Sequence, residues 1–217
     1  MLYSDDDILI IDKPSGLAVQ PGAGVRISVL EAVERDYGFR PFLVHRLDRE
    51  TAGALVLARS PRSAAALSGI MEERRAIKLY RAVVIGVPDP AEGLLEGDVR
   101  VKGAPVSART RYRLIDQAKG FSLVEAELGT GRMHQIRQHF AAAGWPILAD
   151  DRHGNFRANK AAAREYGAKR LFLYAWRLVL PFGRTIDVTA SIPPHFADFF
   201  VRTGLGASVA GTRETEP

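Results

Sequence analysis

Apolar residues come in short bursts between turn-forming residues, and the period of each burst predicts its element. Residues 8–12 are an apolar run closed by Lys13-Pro14-Ser15-Gly16, which reads as a strand entering a turn. Over 28–37, Val29, Ala32 and Val33 share a helical face and Gly38 supplies the stop. A strand over 53–58 follows. Ser60 before Pro61 then gives a helix start, with Leu67, Ile70 and Met71 as the apolar stripe as far as about Arg74. Residues 78–85 are a further strand. The stretch 88–103, rich in Gly and Pro, is expected to be a loop or a loosely paired hairpin.

From 106 to 114 the pattern alternates strictly. Val106, Ala108, Thr110, Tyr112 and Leu114 take one face, and Ser107, Arg109, Arg111 and Arg113 the other. The arginine row is either a solvated sheet face, the reading favoured here, or a contact to a polyanion. Another strand spans 121–128. Gly129-Thr130-Gly131 leads into a helix expected over 132–143, with Met133, Ile136 and Phe140 buried and His134 and Arg137 on a neighbouring face. A helix over 157–166, strands over 171–180 and 185–190, and a short helix carrying Phe196, Phe199 and Phe200 complete the chain. Strands outnumber helices and few strand–helix–strand repeats occur. The expected class is α+β with a mostly antiparallel sheet. Residues 1–203 are expected to form a single domain and 204–217 a disordered tail.

Composition narrows the options. The 217 residues are 47% hydrophobic and 25% charged, which is ordinary for a globular chain. Cysteine is absent, so disulfides, thiolate metal sites and cysteine nucleophiles are excluded. No apolar run is long enough for a membrane helix. Asp5, Asp6 and Asp7 stand where an export signal would be basic, so a cytoplasmic protein is expected. Thirty basic residues against 25 acidic give a net charge of +5, and Arg greatly outnumbers Lys. Base composition of the coding sequence explains such a bias as well as a polyanion partner does.

Two polar clusters interrupt the apolar pattern. His45-Arg46-Leu47-Asp48-Arg49-Glu50-Thr51 lies between Phe42-Leu43-Val44 and the strand that starts at Gly53, a loop between buried segments. On spacing alone, Asp48 is either a functional carboxylate or a turn cap paired with an arginine. With Glu50 it would also suit the acid–base pair of a hydrolase. Gly131-Arg132-Met133-His134-Gln135-Ile136-Arg137 opens a helix, where free N–H groups favour an anion; the alternative is an amphipathic helix with a basic outer face. His134 and His139 are five apart, off the spacing that aims two ligands at one ion, and Asp150, Asp151 and His153 lack partners at defined spacing. No metal is expected.

Together the clusters resemble the RluA-type family of RNA pseudouridine synthases. The resemblance rests on Asp12-Lys13-Pro14-Ser15-Gly16, on His45-Arg46-Leu47-Asp48 followed by Thr51-Ala52-Gly53, and on Lys78, Tyr80, Ala82, Val84 and Gly86 at alternate positions. Gly131-Arg132, His134-Gln135-Ile136-Arg137, His139, Gly144, Pro146-Ile147 and Asp150 complete it, over residues 3–195. The family usually has Thr-Ser-Gly where this chain has Thr51-Ala52-Gly53, and Gly where it has Ala149.

The resemblance implies a pseudouridine-synthase fold with an RNA-binding cleft, and isomerisation of uridine to pseudouridine without cofactor or metal. It implies Asp48 as the nucleophilic carboxylate, Arg137 as its ion-pair partner and Tyr80 stacked on the base. His45, Arg46, Arg132, His134 and Gln135 would bind substrate, with Arg46 filling the gap left by a flipped base. The partner is RNA, with no membrane, and the chain is expected to be a monomer without an accessory RNA-binding domain before its first motif. The stretch from His153 through Leu173 looks more like the tRNA pseudouridine synthase C branch than its rRNA-modifying relatives, so tRNA is the expected target and large-subunit rRNA the alternative. A catalytically inactive RNA-binding protein of the same fold is the remaining alternative.

Overall fold

The computed structural model describes residues 1–207. In chain order the elements are β1 (Tyr3–Ser4), β2 (Ile8–Lys13), α1 (Val29–Tyr37), β3 (Phe42–Leu43), β4 (Ala52–Ala58), α2 (Pro61–Glu72) and β5 (Ile77–Ile85). Then come β6 (Glu92–Val101), β7 (Ala104–Ala118), β8 (Phe121–Leu128), α3 (Gln135–Ala142), α4 (Phe156–Glu165), β9 (Leu173–Phe182), β10 (Arg184–Thr189) and α5 (Pro194–Thr203). The class is α+β. The chain forms two compact units: Met1–Tyr80 with Tyr174–Pro193, and Arg81–Leu173 with the C-terminal segment.

In the first unit the strand order is β1-β2-β4-β9, with β3 also on β4 and β10 on β9. The pairs are antiparallel except β4 with β9, which run parallel at Ala52 opposite Tyr174 and Gly53 opposite Ala175. One face carries the core: Ile8, Ile10, Val56, Leu178, Leu180 and Ile186 pack with Leu67 and Ile70 from α2. Each such fully buried side chain contributes about 1.5–3 kcal/mol. The helix starts read from sequence are built as capping boxes, Ser28 with Glu31 on α1 and Ser60 with Ser63 on α2.

Gly53 is required by the parallel pair. Its φ is +108°, and a Cβ there would lie 2.2 Å from the Ala175 carbonyl oxygen. Any side chain would push β4 off β9 five residues after Asp48.

In the second unit β5 from Arg81 onward, β8, β7 and β6 lie side by side in that order. The region expected as a loop or a loosely paired hairpin holds a full strand of a regular hairpin. β6 pairs with β7 from Glu92–Arg113 to Val101–Ala104. Its glycines lower strand propensity, but Lys102 and Gly103, both with positive φ, make a tight two-residue turn whose twist matches a hairpin. The alternation on β7 holds. Ala108, Thr110 and Tyr112 are buried, while Arg109, Arg111 and Arg113 are exposed. Phe172, Phe196 and Phe199 form an aromatic cluster with Phe121 and Tyr166. Leu205 is buried and the Gly206 N–H donates to Asp116, so the tail does not start at residue 204. The rest of that expected tail lies outside the described residues. No helix among them is long and apolar enough to cross a membrane.

Candidate active site

The first and second sequence motifs meet through the sheet. β2 and β4 pair antiparallel with Lys13 opposite Gly53, so the loop leaving β2 and the loop entering β4 emerge at the same end. Four hydrogen bonds then clip one loop to the other. Lys13 Nζ donates to the Arg49 carbonyl (3.0 Å), the Gly16 N–H to the same carbonyl (2.9 Å) and Ser15 Oγ to the Glu50 carbonyl (2.8 Å). Arg49 Nε donates back to the Gly16 carbonyl (3.0 Å).

Lys13 is fully buried, and its other two donors reach the Pro14 and Leu17 carbonyls at 2.9 Å. Burial lowers its pKa to about 8, against the opposing pull of the Glu50 and Asp48 carboxylates. It was missed as a site residue because a lysine between a strand and a proline reads as surface. The signal available was its place inside a motif.

Asp48 is half-buried between buried Leu47 and exposed Arg49. Its carbonyl accepts from the Thr51 N–H at 3.1 Å, closing a turn that leads directly into β4. Tyr80, on β5 in the same unit, is buried, and both burial and the Asp48 charge raise its pKa above the ordinary tyrosine value. The structure therefore brings Asp48 and Tyr80 together, with Tyr80 a neutral phenol and an apolar ring.

His45 has a structural assignment. Its Nε2 accepts from the Val56 N–H at 3.1 Å, so the ring is neutral with its proton on Nδ1. Burial, helped by repulsion from Lys78, lowers its pKa to about 3. Arg46 is exposed, and its guanidinium has no hydrogen bond or ion pair among the described residues.

The third motif lies in the second unit, where two expectations need correction. The helix starts at Gln135, not at 132, because His134 takes a left-handed φ of 54°. Met133 is consequently 40% exposed and off the buried stripe. Gln135 is buried and saturated. Its Oε1 accepts from Thr130 Oγ1 and the Arg132 N–H, and its Nε2 donates to the Arg109 carbonyl and Thr110 Oγ1. These bonds lock the turn before α3 and occupy the Arg132 N–H.

Arg137 is 4% exposed. Its Nε and Nη2 form a two-pronged bond to Asp150 at 2.7 Å each, and Nη2 also reaches Asp151 at 3.2 Å. Burial alone would raise the Asp150 pKa. The Arg137 hydrogen bonds and the N–H groups of His153 and Arg152 outweigh it and hold the carboxyl below its ordinary value. His134 Nδ1 lies 3.2 Å from His153 Nε2. Arg132 is exposed, with no side-chain partner among the described residues. No group of three or more metal-ligating side chains occurs among these residues.

The arginine row on β7 is exposed but cross-strand neutralised. Arg109 pairs with Glu96 (2.8 Å), Arg111 with Glu127 (3.9 Å) and Arg113 with Glu125 (2.9 Å). This is the solvated-face reading.

The profile of the RNA pseudouridylate synthase family matches residues 7–142, a stretch that holds the clipped loops, Tyr80 and Arg137. The chain belongs to this family. It is 34% identical over 219 residues to the ribosomal large subunit pseudouridine synthase C of Rickettsia felis, covering 93% of this chain and 70% of that one. It is 33% identical over 243 residues to the ribosomal large subunit pseudouridine synthase D of Neisseria meningitidis, covering 99% and 64%. It thus spans about two thirds of the length of these relatives. Human RNA pseudouridylate synthase domain containing 4 shares the fold, with a TM-score of 0.79 at 24% identity over 94% of this chain and 92% of that one. Within the pseudouridylate synthase family frame, the clip between the first two motifs accounts for why Lys13 and Asp48 belong to one pattern.

Proposed function

We propose that this protein isomerises uridine to pseudouridine in RNA, and that its RNA is large-subunit ribosomal RNA. The observation that carries the chemistry is Asp48, held on a doubly clipped loop beside a neutral, buried Tyr80. The reaction breaks the N1–C1′ bond and forms a C5–C1′ bond. C5 then loses its proton while N1 gains one, so nothing is added or removed overall. A stacked base is out of reach and must be flipped, at a cost of a few kcal/mol. The unpartnered, exposed guanidinium of Arg46 has the planar shape to fill the gap. Asp48 is the nucleophile, and Tyr80 supports the base by stacking, since a phenol with a raised pKa is a poor proton acceptor. Arg137 enters the proposal on its motif alone.

Support for the ribosomal target comes from the relatives, which are named for the ribosomal large subunit. The tRNA target drawn from residues 153–173 gains no support from those names. The test is tritium release from RNA carrying 5-tritiated uridine, with large-subunit rRNA and tRNA transcripts compared. Release from rRNA at one position, lost in Asp48→Asn, is expected. Release from tRNA alone would overturn the target, and full turnover by Asp48→Asn would overturn the nucleophile.

A further inference from the structure

One segment of this chain is strongly basic and carries unpaired cations. Residues 152–170 hold six cations, Arg152, Arg157, Lys160, Arg164, Lys169 and Arg170, against one anion, Glu165. That is +5 in 19 residues, the whole net charge of the chain, and the other 198 residues carry 24 charges of each sign. All six cations are exposed, and none makes a side-chain hydrogen bond or ion pair among the described residues. The β7 arginines, by contrast, each face a glutamate.

Geometry gathers the charge. Helical periodicity places Arg157, Lys160 and Arg164 of α4 within one 60° sector. Phe156, 65% exposed, stands one turn before Lys160 on the flank of the same face. On the opposite face Ala162 is buried, and Tyr166, the C-cap, meets Phe121 and Phe199 edge-on. Asn159 fixes the helix further: its Oδ1 accepts from the Ala149 N–H and its Nδ2 donates to the Asp150 carbonyl. The basic face is therefore held outward on a rigid mount, and the mount includes the carboxylate residue that binds Arg137.

We infer that the exposed face of α4 and its flanks bind the phosphate backbone of the RNA substrate, with Phe156 available to stack on an unpaired base. This rests on the proposed function for the identity of the polyanion. A surface of unpaired Arg and Lys beside an exposed aromatic ring fits a single-stranded or looped nucleic acid, where phosphates meet the cations and a base meets the ring. Ion-paired arginines on β7 would have to lose their glutamates first, so that face contributes little.

The test uses the full chain and a single-stranded RNA containing the target uridine, with affinity measured from 0.05 to 0.2 M salt. Each phosphate contact adds about 0.7 to the log–log salt slope on single strands. The triple variant Arg157→Gln, Lys160→Gln, Arg164→Gln should flatten the slope by about 2 and raise KM more than it lowers kcat. Across that salt range it should lose about 20-fold less affinity than the parent. Arg109→Gln, Arg111→Gln, Arg113→Gln should leave the slope as in the parent. Phe156→Ala should weaken RNA without altering the slope. A triple α4 variant whose slope superimposes on the parent's, at an unchanged melting temperature, overturns the inference. So does flattening by the β7 variant alone. Tritium release by the parent is measured separately, so failure of the isomerase reading is seen independently of the slopes.

Discussion

Replacing Lys13 by Met keeps the length and removes the ammonium. Three carbonyls, those of Pro14, Leu17 and Arg49, lose a donor at 2.9–3.0 Å in a site closed to water. Hydrogen bonds to a charged group contribute about 1.5–3 kcal/mol each. Against this stands the burial of the charge: a pKa lowered from 10.5 to about 8 corresponds to roughly 3 kcal/mol at 1.36 per unit. The net expectation for Lys13→Met is a loss of about 2–5 kcal/mol at pH 7, read by urea denaturation. The pH dependence has a definite sign. Between pH 8 and about 10.4 the unfolded lysine holds a proton that the folded one has released, so the parent gains stability as pH rises through that window. The gap between parent and variant should therefore widen by up to about 3 kcal/mol. Turnover should fall at least about 10-fold with RNA affinity within about 3-fold, because the clip holds the Asp48 loop while phosphate contacts carry affinity. A gap below about 1 kcal/mol that stays flat from pH 7 to 10 would refute both the clip and the depressed pKa.

Three further outcomes are expected. Arg137→Ala strands the buried Asp150 carboxylate and should cost about 3–5 kcal/mol; Asp150→Asn in the same background should recover part of it, and a melting temperature unmoved by Arg137→Ala would contradict the buried pair. Ala149 sits at φ +57°, a left-handed conformation that costs a non-glycine residue about 1–2 kcal/mol, so Ala149→Gly should raise stability by up to about 1 kcal/mol; a destabilised variant would refute this. Tyr80→Phe should retain tritium release within about 10-fold and Tyr80→Leu should not, whereas equal loss in both would assign the hydroxyl a chemical step.

Most elements were legible because their signals are local. Ser28, Ser60 and Gly38 cap helices through their own neighbours, and the β7 alternation needs only the pleat of one strand. The regularity of β6 was hidden because Gly93 and Gly97, with Pro88 and Pro90 before them, argue for a loop or a loose hairpin, and only ten residues of partner strand on β7 overrule them. The start of α3 was hidden because a left-handed histidine leaves no mark in a pattern of apolar positions. At the candidate site, motif order alone singles out Asp48 and Tyr80, and the fold sets both in the first unit. The buried bonding of Lys13, Gln135 and Arg137 was not legible, since each depends on at least one partner 13 to 36 positions away.

The absent side chain at Gly53 sets the mutational profile of the whole approach to β4. A saturation library across 48–53 should show intolerance at both ends for unrelated reasons: the nucleophilic role proposed for Asp48, and steric exclusion by the Ala175 backbone at Gly53. Thr51 and Ala52, both buried, should admit only small residues, while Glu50, which enters the clip only through its backbone carbonyl, should vary more freely in side chain than Arg49, whose Nε also holds the Gly16 carbonyl. Loss of activity at Gly53 would then track loss of folded protein, and at Asp48 it would not. That contrast separates residues that perform the reaction from those that merely let two strands approach.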